Sequence, residues 1–338
     1  MAAPADMLLA SLRSTSQVDC DTLDVQVAKE LGPFVDCTSN QAIALGELSK
    51  TTSDGKLHHE ELLRNSGNDA RGWARTAWPD VDPVLLAVEI MMVRLSLQFT
   101  PYLTGYFHIQ TNPQWAYSTE KTVYNAERIV QIFQKLDPSF DPKRVCIKIP
   151  STWEGIAACR ILEHKGIATL ATTLFCMEQA VLAADAGCTY IAPYVNELKV
   201  HFVPGYVDEH KAFDFCRQAQ AYYVERKVKT QVLAASLTSV AEVLQLAGIQ
   251  HITVSPPLLR GLAAQPASSW TEKIGGYFAA GPDAPWTRDF ESALKDESEW
   301  RMAFTRSGNG KYEEKLIQAI NIFAGTQDGL EELARHFL

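Results

Sequence analysis

Long uncharged apolar runs are missing from this 338-residue chain, and none approaches the ~18 residues that a membrane-spanning helix needs. The opening stretch, MAAPADMLLASLRSTSQV, lacks the basic start and extended apolar core of a secretory signal. No CxxC pair occurs among the seven cysteines (Cys20, Cys37, Cys146, Cys159, Cys176, Cys188 and Cys216). Their odd number and scattered spacing argue against a disulfide framework and a zinc knuckle, so reduced thiols and a cytoplasmic location are expected. Positive charge is also scarce: 31 Lys and Arg stand against 40 Asp and Glu, giving a formal charge of -9. Nucleic acid and anionic membrane surfaces both demand a basic face, and neither is an expected partner. No Gly/Ser-rich linker or charge block divides the chain, and no GxGxxG follows a strand, which leaves a nicotinamide cofactor without support. With 46% hydrophobic and 21% charged residues, the composition excludes disorder, collagen and coiled coil.

What is present is a rhythm. Eight short runs read as strands, at residues 16–21, 34–38, 105–110, 144–149, 167–173, 189–194, 230–236 and 251–255. Several are continuously apolar, as parallel strands buried on both faces should be. Helix-like segments lie between them. Ser151-Thr152-Trp153-Glu154 fits a capping box with Ser151 as N-cap, and Gly166 closes the segment that follows. Residues 178–186 before Gly187, and 240–247 before Gly248, repeat the same ending. Eight strand–helix units predict an α/β fold of the (β/α)8 TIM-barrel type, with additional helices at the termini. Residues 1–338 are read as one domain, to which 260–338 contribute mostly helices packed on the barrel: KDESEWRMAF, YEEKLIQAINIFAG and a separate terminal DGLEELARHFL.

In such a barrel the chemistry sits where strands end, which selects Asp21, Asn40, Gln110, Lys148, Thr172, Tyr194 and Ser236. Lys148 is the outlier, a cation inside the apolar run Val145-Cys146-Ile147-Lys148-Ile149-Pro150. It either snorkels from an edge strand or points into the barrel, where desolvation lowers a lysine pKa and frees the amine to attack a carbonyl. Other features read blandly. His58 and His59 are adjacent and diverge, which suits a surface loop better than a metal pair. Gly308-Asn309-Gly310-Lys311 reads as a turn between helices, and Asp24 as a helix cap.

The stretch from Ile147 to Gly155, Ile-Lys-Ile-Pro-Ser-Thr-Trp-Glu-Gly, resembles the signature of the transaldolase family around its Schiff-base lysine. Further matches follow in chain order. They are Asp21-Thr22-Leu23-Asp24, Thr38-Ser39-Asn40-Gln41, Thr172-Thr173-Leu174-Phe175, Ala192-Pro193-Tyr194-Val195, Val254-Ser255-Pro256 and the segment from Lys315 to Leu338. The resemblance implies class I aldol chemistry without metal or cofactor, on a small-molecule carbonyl substrate, in a homo-oligomer. It casts Lys148 as the nucleophile, Asp21 as the proton-handling group, Asn40 as a ligand for a donor hydroxyl or carbonyl, and Thr172 as the anchor of a catalytic water.

The departures from the family pattern concern the pocket. Gln110 stands where the family has a catalytic glutamate, and Tyr194 where most members have phenylalanine. Glu197 and Thr238 fall on two phosphate-binding arginines, Leu170 on an asparagine and Ala192 on a serine. The Gln/Tyr combination is similar to the smaller fructose-6-phosphate aldolase branch, in which Tyr194 and Thr172 would share the proton work that Gln110 cannot do. With Ser236, Leu170, Ala192, Glu197 and Thr238 as substrate-binding positions, the expected substrate is unphosphorylated and more apolar than a sugar phosphate, as in specialised metabolism. Lys199 and Arg260 are the residues that could restore a phosphate site. The alternatives are ordinary transfer of dihydroxyacetone between sugar phosphates, and a non-catalytic binding protein of the same fold.

Overall fold

In a computed structural model that describes residues 6–288, 290 and 294–338, all eight apolar runs contain a strand. They are β1 Gln17–Asp21, β2 Cys37–Thr38, β3 Phe107–Gln110, β4 Val145–Pro150, β5 Ala168–Leu174, β6 Tyr190–Pro193, β7 Gln231–Ala234 and β8 His251–Val254. Every pairing is parallel and between sequence neighbours, and β8 returns to β1 with Val18 opposite Ile252 and Cys20 opposite Val254. The result is a closed (β/α)8 barrel. The first five residues of the opening stretch lie outside the described residues.

The loops after the strands end in polar caps, which is why the rim is rich in short polar side chains. Asp24 accepts from Gln26 N at 3.0 Å, Asn40 from Ile43 N at 2.9 Å, Thr152 from Gly155 N at 2.9 Å and Ser239 from Glu242 N at 3.2 Å. The expected cap at Ser151 is therefore displaced by one residue, because the Ser151 hydroxyl donates instead to the Thr172 carbonyl at 2.6 Å. Glu154 does not reach back to the cap; its carboxylate pairs with Arg301 at 2.5 Å. Gly166, Gly187 and Gly248 end their helices in the left-handed region, at φ 77°, 77° and 101°.

Additional helices flank the barrel at both ends of the sequence. The two expected C-terminal helices are one, Lys311–Arg335. Gly325 does not break it, since a buried stripe from Leu316, Ala319, Ile320 and Phe323 continues through Leu330 and Ala334. That packing outweighs the ~1 kcal/mol that glycine costs within a helix. Pro83–Tyr102 is long and apolar enough, by length and composition, to cross a membrane. Glu89 and Arg94 hide it from a search for uncharged runs. In this fold it supplies a core helix, where Arg128 donates to both Glu89 oxygens at 2.6 Å and Asn125 adds a bond at 2.7 Å. All seven cysteines are free and buried. His59 pairs with Glu47 at 2.9 Å while its neighbour His58 is exposed.

The lower barrel interior is polar. His108 Nε2 lies 2.8 Å from Asp36 Oδ2, and His251 Nδ1 lies 2.9 Å from Asp19 Oδ2. Backbone N–H groups complete both carboxylates: Asp36 donates to Asp19 Oδ1 at 3.0 Å and Tyr106 to Asp36 Oδ1 at 2.7 Å. A side chain at Gly105 would strike Asp36 Oδ1, so glycine permits that approach. The Tyr190 ring stands edge-on to both imidazoles, at 5.3 and 5.1 Å.

Burial alone would raise the Asp36 pKa, but the hydrogen bond and charge of His108 outweigh it and hold the carboxyl low. For His251 burial lowers the pKa, and the bond to Asp19 outweighs it and raises the value. The His251 contribution to stability is therefore complete below its unfolded pKa of about 6.5 and is lost as pH rises through the higher folded value. The Asp36 contribution is complete above about 3.9 and is lost in acid. Burial raises the Asp19 pKa past the opposing pull of His251, so its contribution also falls as pH rises. Denaturant unfolding should therefore show stability declining on the alkaline side of pH 6.5, and a flat profile there would refute the His251 assignment. Replacing His251 by Leu leaves Asp19 unpaired and should cost about 3 kcal/mol or more.

Candidate active site

At the C-terminal ends of the strands a cavity of about 460 Å³ opens. Lys148, Asp21, Asn40, Tyr194 and Ser236 all line it, five of the positions read from the sequence. Lys148 lies on β4, between register partners Gln110 on β3 and Leu170 on β5. It is 2% exposed, so the interior reading replaces the snorkelling one.

Asp21 ends β1 and accepts from Thr38 Oγ1 at 2.6 Å, while Thr38 and Thr253 share a further hydroxyl contact at 2.6 Å. One carboxylate oxygen is thereby oriented and the other remains for a ligand. Asn40 spends its Oδ1 on the helix cap, which leaves the Nδ2 hydrogens as its donors toward the cavity. Tyr194, just past β6, bridges to Ala235, just past β7, and sets its ring edge-on to Phe175 at 6.1 Å.

Four further positions read from the sequence are buried and do not line the cavity: Gln110, Leu170, Thr172 and Ala192. Gln110 and Leu170 flank Lys148 in the sheet, and Thr172 pairs with Ala192 two residues further up β5. Neither amide atom of Gln110 has a hydrogen-bond partner, nor does the Thr172 hydroxyl. Buried polar groups are normally satisfied. Three such atoms beside a buried lysine constitute a ready set of contacts for a water or a reacting oxygen.

Glu197 and Thr238 correct an expectation, because neither lines the cavity. The Glu197 carboxylate is bound by the Tyr206 hydroxyl and by Gln318 Nε2 at 2.8 Å, which turns it toward the C-terminal helix. Thr238 donates from N and Oγ1 to Glu242, at 2.7 and 3.1 Å. Lys199 and Arg260 do not line the cavity either; Lys199 covers the Tyr206 ring at 4.4 Å and Arg260 pairs with Glu30 at 3.1 Å.

Three contributors escaped the sequence reading. The turn Leu198–His201 after β6 brings Leu198 and His201 to the wall, the C-terminal helix brings Phe323, and the helix Gln41–Leu48 brings Glu47 with Lys50 beyond it. Lys50 is bound by Asp24 and Glu47, each at 2.7 Å. Burial lowers its pKa, but these two bonds outweigh that and raise it, so it stays charged and already engaged. Among the residues lining the cavity, Asp21, Asp24 and Glu47 face Lys50 and Lys148. Three carboxylates against two lysines leave the acidic groups in excess.

The chain matches the family described as Transaldolase/Fructose-6-phosphate aldolase over residues 18–333. It is 31% identical to a transaldolase of Alteromonas mediterranea across 98% of both chains. A transaldolase of Chlamydia felis is 30% identical, over 97% of this chain and 95% of its own. One from Acidobacterium capsulatum is also 30% identical, over 96% and 94%.

The two duties of Asn40 can be separated. Asn40→Ser keeps a capping oxygen and removes the donor, so it should weaken ligand binding while leaving the melting temperature near wild type. Asn40→Ala removes both and should also lose about 1 kcal/mol of stability. Unchanged ligand binding in Asn40→Ser would show that Asn40 acts as a cap alone.

Proposed function

From the premise that this chain belongs to the transaldolase/fructose-6-phosphate aldolase family, we propose that it joins or splits carbon–carbon bonds through a Lys148 imine, on an unphosphorylated and comparatively apolar carbonyl compound. The observation that carries the choice of substrate is the fate of the two positions where the family resemblance places arginines. Glu197 and Thr238 are bound into networks behind the wall, and Lys50 at the mouth is neutralised by two carboxylates. Phosphate clamps rely on charge-assisted bonds, roughly twice as strong as neutral ones. An acid-rich mouth supplies none and opposes an incoming dianion. Leu198, Phe202, Leu237 and Phe323 give the outer wall an apolar surface instead.

In the cleavage direction, the Lys148 amine adds to the ketone carbonyl and water leaves, giving an iminium. Asp21 accepts the proton of the hydroxyl on the β carbon, the far carbon of the bond to be broken. The carbon–carbon bond then breaks, its electrons pass to the iminium as an enamine, and an aldehyde departs. Tyr194 and Thr172 hold the water that returns to hydrolyse the imine after the enamine carbon is reprotonated. Gln110 orients this water but does not take its proton, since an amide is no base at neutral pH. Condensation follows the same steps in reverse. A place in specialised metabolism suits an apolar carbonyl substrate. The competing reading, transfer of a three-carbon unit between sugar phosphates, is favoured by the names of the relatives.

Borohydride added with substrate should fix a stable mass on the Lys148 peptide, and Lys148→Ala should abolish both adduct and turnover; full activity in that variant would end the imine mechanism. Fructose 6-phosphate with erythrose 4-phosphate should be turned over weakly or not at all, whereas robust turnover at micromolar KM would establish the competing reading. Tyr194→Phe should lower the rate about 10²-fold, the usual loss for one acid–base group. Near-wild-type rates would remove Tyr194 from the proton path.

A further inference from the structure

We propose that His201 and Ser236 form a hydrogen-bonding pair that selects carbonyl substrates bearing an uncharged hydroxyl or keto group on the part remote from the imine. This deepens the reading of the same cavity and rests on Lys148 as the point of covalent attachment.

His201 ends the turn Leu198–His201 after β6, and Ser236 follows β7. In the closed ring of eight strands, β7 stands three strands round from β4, nearly across the mouth from Lys148. A substrate held at Lys148 therefore reaches His201 and Ser236 with its far part. Both residues line the cavity, and His201 Nε2 lies 3.0 Å from Ser236 Oγ.

The backbone around Ser236 is set to make this contact. Ser236 adopts φ 62°, a left-handed conformation unusual for a residue with a side chain. Its carbonyl is held by two donors from Asn196, the backbone N at 3.2 Å and Nδ2 at 2.9 Å. Strained backbone that is over-determined by its surroundings is a recurrent property of ligand-holding segments.

The chemistry of the pair is that of a neutral reader. His201 remains partly exposed at the rim, yet desolvation by the surrounding wall lowers its pKa, outweighing the opposing fields of Asp21 on β1 and Glu242 on the helix Val240–Gln245. An uncharged imidazole offers one donor and one acceptor, and a serine hydroxyl offers both. Together they complement a hydroxyl or a keto oxygen and lack the fixed positive charge that a phosphate or carboxylate requires. Leu198, Phe202 and Leu237 surround the pair, so the selected group sits on an otherwise apolar body.

The test compares 2-hexanone with its terminally hydroxylated counterpart in NMR titrations of the full-length protein. The wild type should bind the hydroxylated ketone about 10-fold more tightly, the scale of one well-made neutral hydrogen bond. His201→Phe should abolish that preference without weakening 2-hexanone, and Ser236→Ala should reduce it. A general structural defect would weaken both ligands alike, so the ratio isolates the selective role. Lys148→Met, which cannot form an imine, should retain the preference on a weaker baseline. Failure of borohydride trapping in the wild type would remove the imine, while the ratio in Lys148→Met would still decide the selection. No preference in the wild type, or an undiminished one in His201→Phe, would overturn the proposal.

Discussion

A closed barrel encloses its inward-facing side chains, and any polar group placed there must find its partner inside. The two levels of this interior answer that constraint differently. On the lower level, Asp19 and Asp36 each have an imidazole and a backbone N–H, so both carboxylates are paired, and His108 Nδ1 is the atom of this group left without a partner. Around Lys148 the network is unfinished: the Gln110 amide and the Thr172 hydroxyl are buried without partners. Unsatisfied polar groups are tolerated where they do something other than hold the fold. The paired carboxylates tie the lower ends of neighbouring strands together, and the strand register above them places Gln110, Lys148 and Leu170 side by side.

The barrel was readable because parallel strands buried on both faces leave short apolar runs, and all eight were found. Lys148 stood out for the same reason, as a charge in a setting that otherwise excludes charge. The errors were local or long-range in origin. Ser151 and Thr152 are equally good caps by type, and the choice between them was made by the Thr172 carbonyl on another strand. The orientation of Glu197 depended on Gln318, more than a hundred residues away, which a reading by position does not contain. His201 escaped because it lies on a turn beyond a strand end, where neither periodicity nor strand-end rules apply.

Glu197 and Thr238 illustrate how the surroundings of a rim position decide what its side chain is free to do. A side chain at a rim position serves the ligand only if nothing behind the wall claims it. Here Tyr206, Gln318 and Asp208 secure the loop around Glu197, and Glu242 gathers Asn196, Thr238 and Lys211. Groups at the positions of a phosphate clamp thus stiffen the loops that frame the cavity.

The cavity wall joins Asp21 on the first strand to Phe323 on the helix Lys311–Arg335, and that helix also packs against Gln41–Leu48. Contacts between such distant parts of a sequence are entropically expensive to close and tend to form late as a chain collapses. A folding intermediate with β2 to β6 assembled would already carry Lys148, yet it would lack the enclosure that shapes its surroundings. Stray aldehydes meeting that intermediate would find a lysine without its cavity. The enclosure around Lys148 is therefore complete only once the helix Lys311–Arg335 has docked, however early the strands beside it assemble.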